Sequence, residues 1–124
     1  MMPLGEHIDE KLREETDRVY HEQAPESVEF PYIVYKFTDS NTVEAREDFM
    51  LELDIWHYSD KAYTLPLEEL TQDIKKKLDY TKHQAEGIQT SIYLINRLSP
   101  PEPEPNIYRR QLRFLCKTYL IGGN

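Results

Sequence analysis

Cysteine is nearly absent: Cys116 is alone and has no partner for an intramolecular disulfide. It falls in an apolar strand pattern, where cysteine behaves as a small hydrophobe. The four glycines, Gly5, Gly87, Gly122 and Gly123, are too scattered to build a phosphate-cradling loop. His7, His21, His57 and His83 lack the paired spacing of a zinc site, and Ser59 lacks the flanking glycines of a nucleophile elbow. No stretch approaches the ~18 apolar residues of a membrane-spanning helix, and no basic segment leads into a short apolar run as in an export signal. The chain is therefore expected to be made in a cytoplasm, without a membrane partner, metal or cofactor. Basic charge is also scarce, with 15 Lys and Arg against 23 Asp and Glu, net −8. Phosphate binding relies on clustered cations that release counterions, so this balance argues against high-affinity nucleic-acid binding.

What is present is enough for one globular domain over residues 1–124. A chain of 124 residues buries roughly two-thirds of its unfolded surface, a sufficient core without staples. The charge is uneven along the chain. Residues 1–54 carry 15 acidic and 5 basic side chains, and residues 55–124 carry 8 acidic and 10 basic. Surfaces of opposite sign on one chain favour head-to-tail contacts between copies, although acidic residues also serve plain solubility.

Ile8, Leu12 and Val19 share a helical face, predicting an amphipathic helix over residues 6–20 that ends before Pro25. "FPYIVYKF", residues 30–37, reads as a first strand, with "TDSNT" as a polar turn after it. From Val43 to Tyr58 the pattern alternates, with Val43, Ala45, Phe49, Leu51, Leu53 and Ile55 on one face and Glu44, Arg46, Asp48, Glu52 and Asp54 on the other. That period of two marks a half-buried strand, paired with the first as a hairpin. Leu67, Leu70, Ile74 and Leu78 form the stripe of a second helix, with Pro66 in its first turn and Lys75, Lys76 and Lys77 near its end. Strands follow at residues 88–98 and 107–121. Arg109, Arg113 and Lys117 share a face of the last strand and suit the acidic row of Glu52 and Asp54. Residues 96–107 contain "SPPEPEPN", whose prolines remove ladder donors and predict a stiff projecting loop. The expected fold is α+β, a mostly antiparallel four-stranded sheet with two helices on one face, in the order α-β-β-α-β-β.

Candidate chemistry is thin. His57 with Asp54 and Asp60 is the one arrangement resembling a small hydrolase or metal cluster, and it reads more simply as a histidine at a strand end in a polar turn. The positive signal is aromatic: nine tyrosines, of which Tyr32, Tyr35, Tyr58, Tyr93 and Tyr119, with Trp56, lie in or beside predicted strands. Such side chains suit interfaces, and equally well fill a core. Residues 30–37 are apolar or aromatic on both faces of a strand, and no third layer is evident to cover the second face. A partner on that face would meet Tyr32, Val34, Tyr35 and Phe37, with Trp56 and Tyr58 nearby and Glu102 and Glu104 in the proline-rich loop.

Val19-Tyr20 after a first helix, Ala24-Pro25, the strand Phe30-Pro31-Tyr32-Ile33-Val34, and Leu53-Asp54-Ile55-Trp56 leading through Ser59 into a helix resemble the tail completion or tail terminator family of long-tailed bacteriophages and prophages. The likeness spans about residues 6–80 in residues and the remainder in the order of elements. The chain departs from the family at Ser40-Asn41-Thr42, where a glycine-containing turn is common, and in its proline-rich loop. The resemblance implies a non-catalytic virion assembly protein at the tail-neck junction. It implies a homo-oligomeric ring, usually a hexamer, that caps the tail tube and joins tail to head through a tube protein and a head completion or neck protein. DNA would pass through without specific binding, as an acidic conduit permits. Another head-tail connector or neck protein is the neighbouring reading.

Overall fold

Leu4, Ile8 and Leu12 recur at every fourth position, and all three are buried along one side of α1 (Met2–Arg13). The computed structural model describes residues 2–43 and 46–120 of the chain. The helix predicted to run to residue 20 stops at Arg13, where i to i−3 hydrogen bonds from Glu14 and Glu15 tighten its last turn. Arg13 then donates to the carbonyls of Asp17 and Val19, each at 3.0 Å. Val19 leaves the helical path and opens β1 (Val19–His21), parallel to β2 (Tyr32–Val43). A β-branched residue accepts that extended backbone readily and keeps its place in the core.

β2 pairs with β3 (Arg46–Tyr58) along its whole length, with a bulge between Phe37 and Asp39. "TDSNT" is thus ladder and not turn, and the alternation beyond the bulge is polar because little covers it. Of the residues assigned to the β3 pattern, Glu44 and Ala45 lie outside the described residues, as does Ile121 on the last strand. After α2 (Leu65–Leu78) come β4 (Thr81–Ala85), β5 (Ile88–Leu98) and β6 (Ile107–Leu120). Glu86 and Gly87 join β4 to β5 with φ of 53° and 75°, the paired positive angles of a tight hairpin that glycine accepts without penalty.

The four-stranded sheet in the order α-β-β-α-β-β is therefore corrected. One mixed six-stranded sheet runs β1-β2-β3-β6-β5-β4, and the chain order is α-β-β-β-α-β-β-β. Among the described residues, only β1 with β2 is parallel. The two extra strands are short and escape periodicity, β1 because Val19 also fits the helical stripe, and β4 because "TKHQA" has no apolar alternation.

The core lies between the helices and one sheet face. Ile33 of β2, Leu51, Leu53 and Ile55 of β3, Ile92 of β5 and Leu112, Phe114 and Cys116 of β6 meet Leu67, Ile74 and Leu78 of α2. Each aliphatic or aromatic side chain buried there stabilises the fold by ~1.5–3 kcal/mol. α1 touches both edge strands, β1 and β4, so the sheet curls around it. The edges are incompletely closed. β1 covers β2 only at Ile33–Tyr35, and β4 covers β5 only at Ile88–Ile92.

Candidate functional site

Because strand side chains alternate, the residues between the core positions point to the sheet face that no described helix covers. On β2 these are Tyr32, Val34 and Lys36; on β3, Met50, Glu52, Asp54, Trp56 and Tyr58. The register places Arg109 beside Trp56, Gln111 beside Asp54, Arg113 beside Glu52 and Lys117 beside Asp48. The basic and acidic rows seen in the sequence thus adjoin on β6 and β3.

At one end of this face the aromatic side chains meet. Tyr32 stacks on Trp56 with ring centroids 5.8 Å apart and planes at 10°. Phe30 lies 5.3 Å from Tyr32 and 6.1 Å from Tyr58. The Arg109 guanidinium sits 5.0 Å over the Trp56 ring while donating to Asp54 at 3.1 Å and to Glu102 at 3.0 Å. Gln111 also donates to Asp54, at 3.0 Å. Asp54 is buried although it faces away from the helices, and these two donors supply the compensation that a buried carboxylate needs. The proline-rich segment delivers Glu102 to this cluster and leaves a cleft of about 370 Å³ between Pro100, Glu104 and Arg110. Burial, then the nearby charges of Glu102 and Glu104, hold the Tyr32 phenol above its ordinary pKa.

Six of the eight residues singled out in the sequence are placed on this face or beside it: Tyr32, Val34, Trp56, Tyr58, Glu102 and Glu104. Tyr35 and Phe37 are placed on the other face. Tyr35 is buried under α1 and its hydroxyl donates to Asp9 at 2.9 Å. Phe37 packs edge-to-face with Phe49 at 6.2 Å, at the margin of the core. The sequence assigned both faces of residues 30–37 to one surface; alternation divides them between two.

Further along, Lys117 lies 5.6 Å over the Tyr93 ring, and Met50 pairs with Leu115. Arg113 Nε and Asn96 Oδ1 are buried there without a hydrogen-bond partner among the described residues, in register with one another on β6 and β5. Native proteins rarely leave such groups unmatched.

The His57 cluster does not assemble. Asp54 points to the open face and belongs to Arg109, whereas His57 points to the helix side and its Nε2 lies 3.1 Å from the Tyr63 carbonyl. Among the described residues, no group of three His, Cys, Asp or Glu side chains could hold a metal ion. Cys116 is buried, and burial pushes its thiol up to about 12. No described helix is long and apolar enough to cross a membrane.

No protein-family model and no curated protein sequence matches the chain. Its fold is similar to that of a chain in a solved structure described as the virion of native gene transfer agent (GTA) particle. The TM-score is 0.70 at 10% sequence identity, covering 90% of this chain and 91% of that one. At that identity the likeness is one of fold.

Proposed function

We propose that this chain is a structural component of a phage or phage-like virion, and within it a tail terminator or tail completion protein. The observation that carries the reading is the fold correspondence, over nearly the whole of both chains, with a component of a gene transfer agent virion particle. The sequence resemblance at residues 6–80 supports the finer assignment.

In this reading the protein works by contact. Copies form a ring, with six the expected number, that stops growth of the tail tube and offers a joining surface to the head side. The open sheet face is one contact surface. It combines a preassembled aromatic stack, an arginine held over it, and buried polar atoms without partners, a mixture that suits a protein interface better than bulk water. The net charge of −8 would let DNA pass such a ring without sticking.

Deleting the gene from its phage or prophage tests this. The expected particles are filled heads separate from tails of uncontrolled length. Virions of normal form would refute the assignment, and defective heads with normal tails would move the protein to another connector position.

A further inference from the structure

Two features at the margins of the sheet are complementary to each other. The first is a groove of about 770 Å³ between α1 and the uncovered stretch of β2. Phe37 and Phe49 form its apolar floor, and Glu6, Glu10, Glu22 and Asp39 stand on its rim. All four carboxylates are exposed, and among the described residues only Glu22 has an ion-pair partner, its neighbour His21 at 3.6 Å. β1 ends at His21, so β2 has a strand on one side only from Lys36 onward.

The second is Tyr80, in the turn between α2 and β4. Its side chain is 81% exposed, and its backbone is held at φ 59°, a region that bulky residues rarely occupy. The turn is nevertheless firmly fixed. The Tyr80 amide donates to the Ile92 carbonyl at 2.8 Å, Asp79 accepts from the Leu94 amide at 2.8 Å, and Thr81 bonds the Leu78 carbonyl at 2.6 Å. Exposed Lys76 and Lys82 flank it, with no ion-pair partner among the described residues. The Tyr80 ring meets Tyr93 edge-to-face at 5.5 Å and is otherwise open to solvent. A largely exposed aromatic side chain on an unfavourable backbone, between two cations, has the form of a ligand for the acidic aromatic groove.

We propose that Tyr80 of one copy inserts into the α1–β2 groove of the next, with Lys76 and Lys82 set against the four rim carboxylates. Knob and groove are different surfaces, so the contact is heterologous and can propagate around a ring. The choice of a second copy as occupant rests on the assembly reading above; the charge match does not.

Sedimentation velocity at low salt and millimolar protein tests the contact. Tyr80→Gly removes the knob and suits the backbone angle, which offsets the lost edge contact with Tyr93, so the variant should melt close to the parent while self-association weakens about tenfold or more. Glu10→Lys with Glu22→Lys should weaken it similarly by altering the groove. Mixing the two variants should give a one-to-one dimer that grows no further, since one partner retains only the knob and the other only the groove. A parent chain that stays monomeric, variants that associate like the parent, or a mixture that does not pair would each overturn the contact. None of these would touch the virion assignment, which particle morphology decides separately.

Discussion

The guanidinium of Arg109 stands 5.0 Å above the ring of Trp56 and, in the same pose, bonds Asp54 and Glu102. One side chain therefore joins β6 to β3 and ties the proline-rich segment to both. Asp54 is buried, so removing its cation leaves a carboxylate with Gln111 alone. Arg109→Ala should lower stability by about 1–3 kcal/mol, measured by urea unfolding. Adding Asp54→Asn to that variant should recover part of the loss, because the stranded charge goes. Equal losses that simply add would show that the two groups are not coupled.

Tyr58 is 49% exposed at the outer edge of the aromatic cluster. Tyr58→Glu should change stability by no more than about 0.5 kcal/mol, since little packing is lost. Incorporation into particles should nonetheless fall sharply, because a charge would be desolvated at the contact. Quantifying the variant in purified virions against the parent checks this, and undiminished incorporation would remove the open face from the assembly surface.

The elements that could be read from the sequence are those whose burial repeats. β3 and β6 alternate over most of their length because one face packs on the helices and the other carries charged residues, as Glu52 in register with Arg113 illustrates, with Met50, Trp56 and Leu115 interrupting the polar row. α2 was readable from its stripe, with Thr71 completing the buried set. β1 spans three residues, less than two periods of any pattern, and is fixed by tertiary partners: Val19 in the core and Arg13 on its carbonyl. β4 is polar because it lies at an edge. The site was half legible. Aromatic content pointed to residues 30–37 and 56–58, but only the register shows that Tyr32 joins Trp56 while Tyr35 turns under α1. Asp54 illustrates the limit most clearly. It lies three residues from His57, yet its partners Arg109 and Gln111 are more than fifty positions away.

His7 of α1 stacks on His83 of β4 with ring centroids 4.0 Å apart. Burial, then the facing His83 and Lys11, lower its pKa below 6.5, against weaker opposition from Glu10 and Glu14. A depressed folded-state pKa means that the unfolded chain binds the proton more readily. The stability contribution is thus present above 6.5 and lost as pH falls below that value toward the folded pKa. His7→Gln should flatten the acid limb of a plot of urea midpoint against pH. An unchanged limb would assign the acid sensitivity elsewhere.

Cys116 is buried on β6 opposite Ile92, and its thiol is held up to about 12. Thiolate is the reactive form, so an aromatic disulfide reagent should not label the native chain at neutral pH and should label it fully in denaturant. The labelling rate across sub-denaturing urea should then follow global unfolding. Fast labelling in native buffer would mean that the sheet opens locally between β5 and β6.

Tyr35 offers a test at the alkaline end. Burial, then the hydrogen bond to Asp9, raise its phenol from 10.0 to about 12. The folded chain holds this proton more tightly than the unfolded chain does. Its contribution is therefore complete below pH 10 and lost as pH rises toward 12. Tyr35→Phe removes the hydroxyl and leaves Asp9 with Arg13, at a cost of about 0.5–1.5 kcal/mol near neutrality. Because other groups titrate in both chains, the informative quantity is the difference between parent and variant. That gap should shrink across the same alkaline window as the parent loses its advantage. A gap constant with pH would mean that the Tyr35 hydroxyl does not bond Asp9 in the folded chain, and that α1 is held to β2 by packing alone.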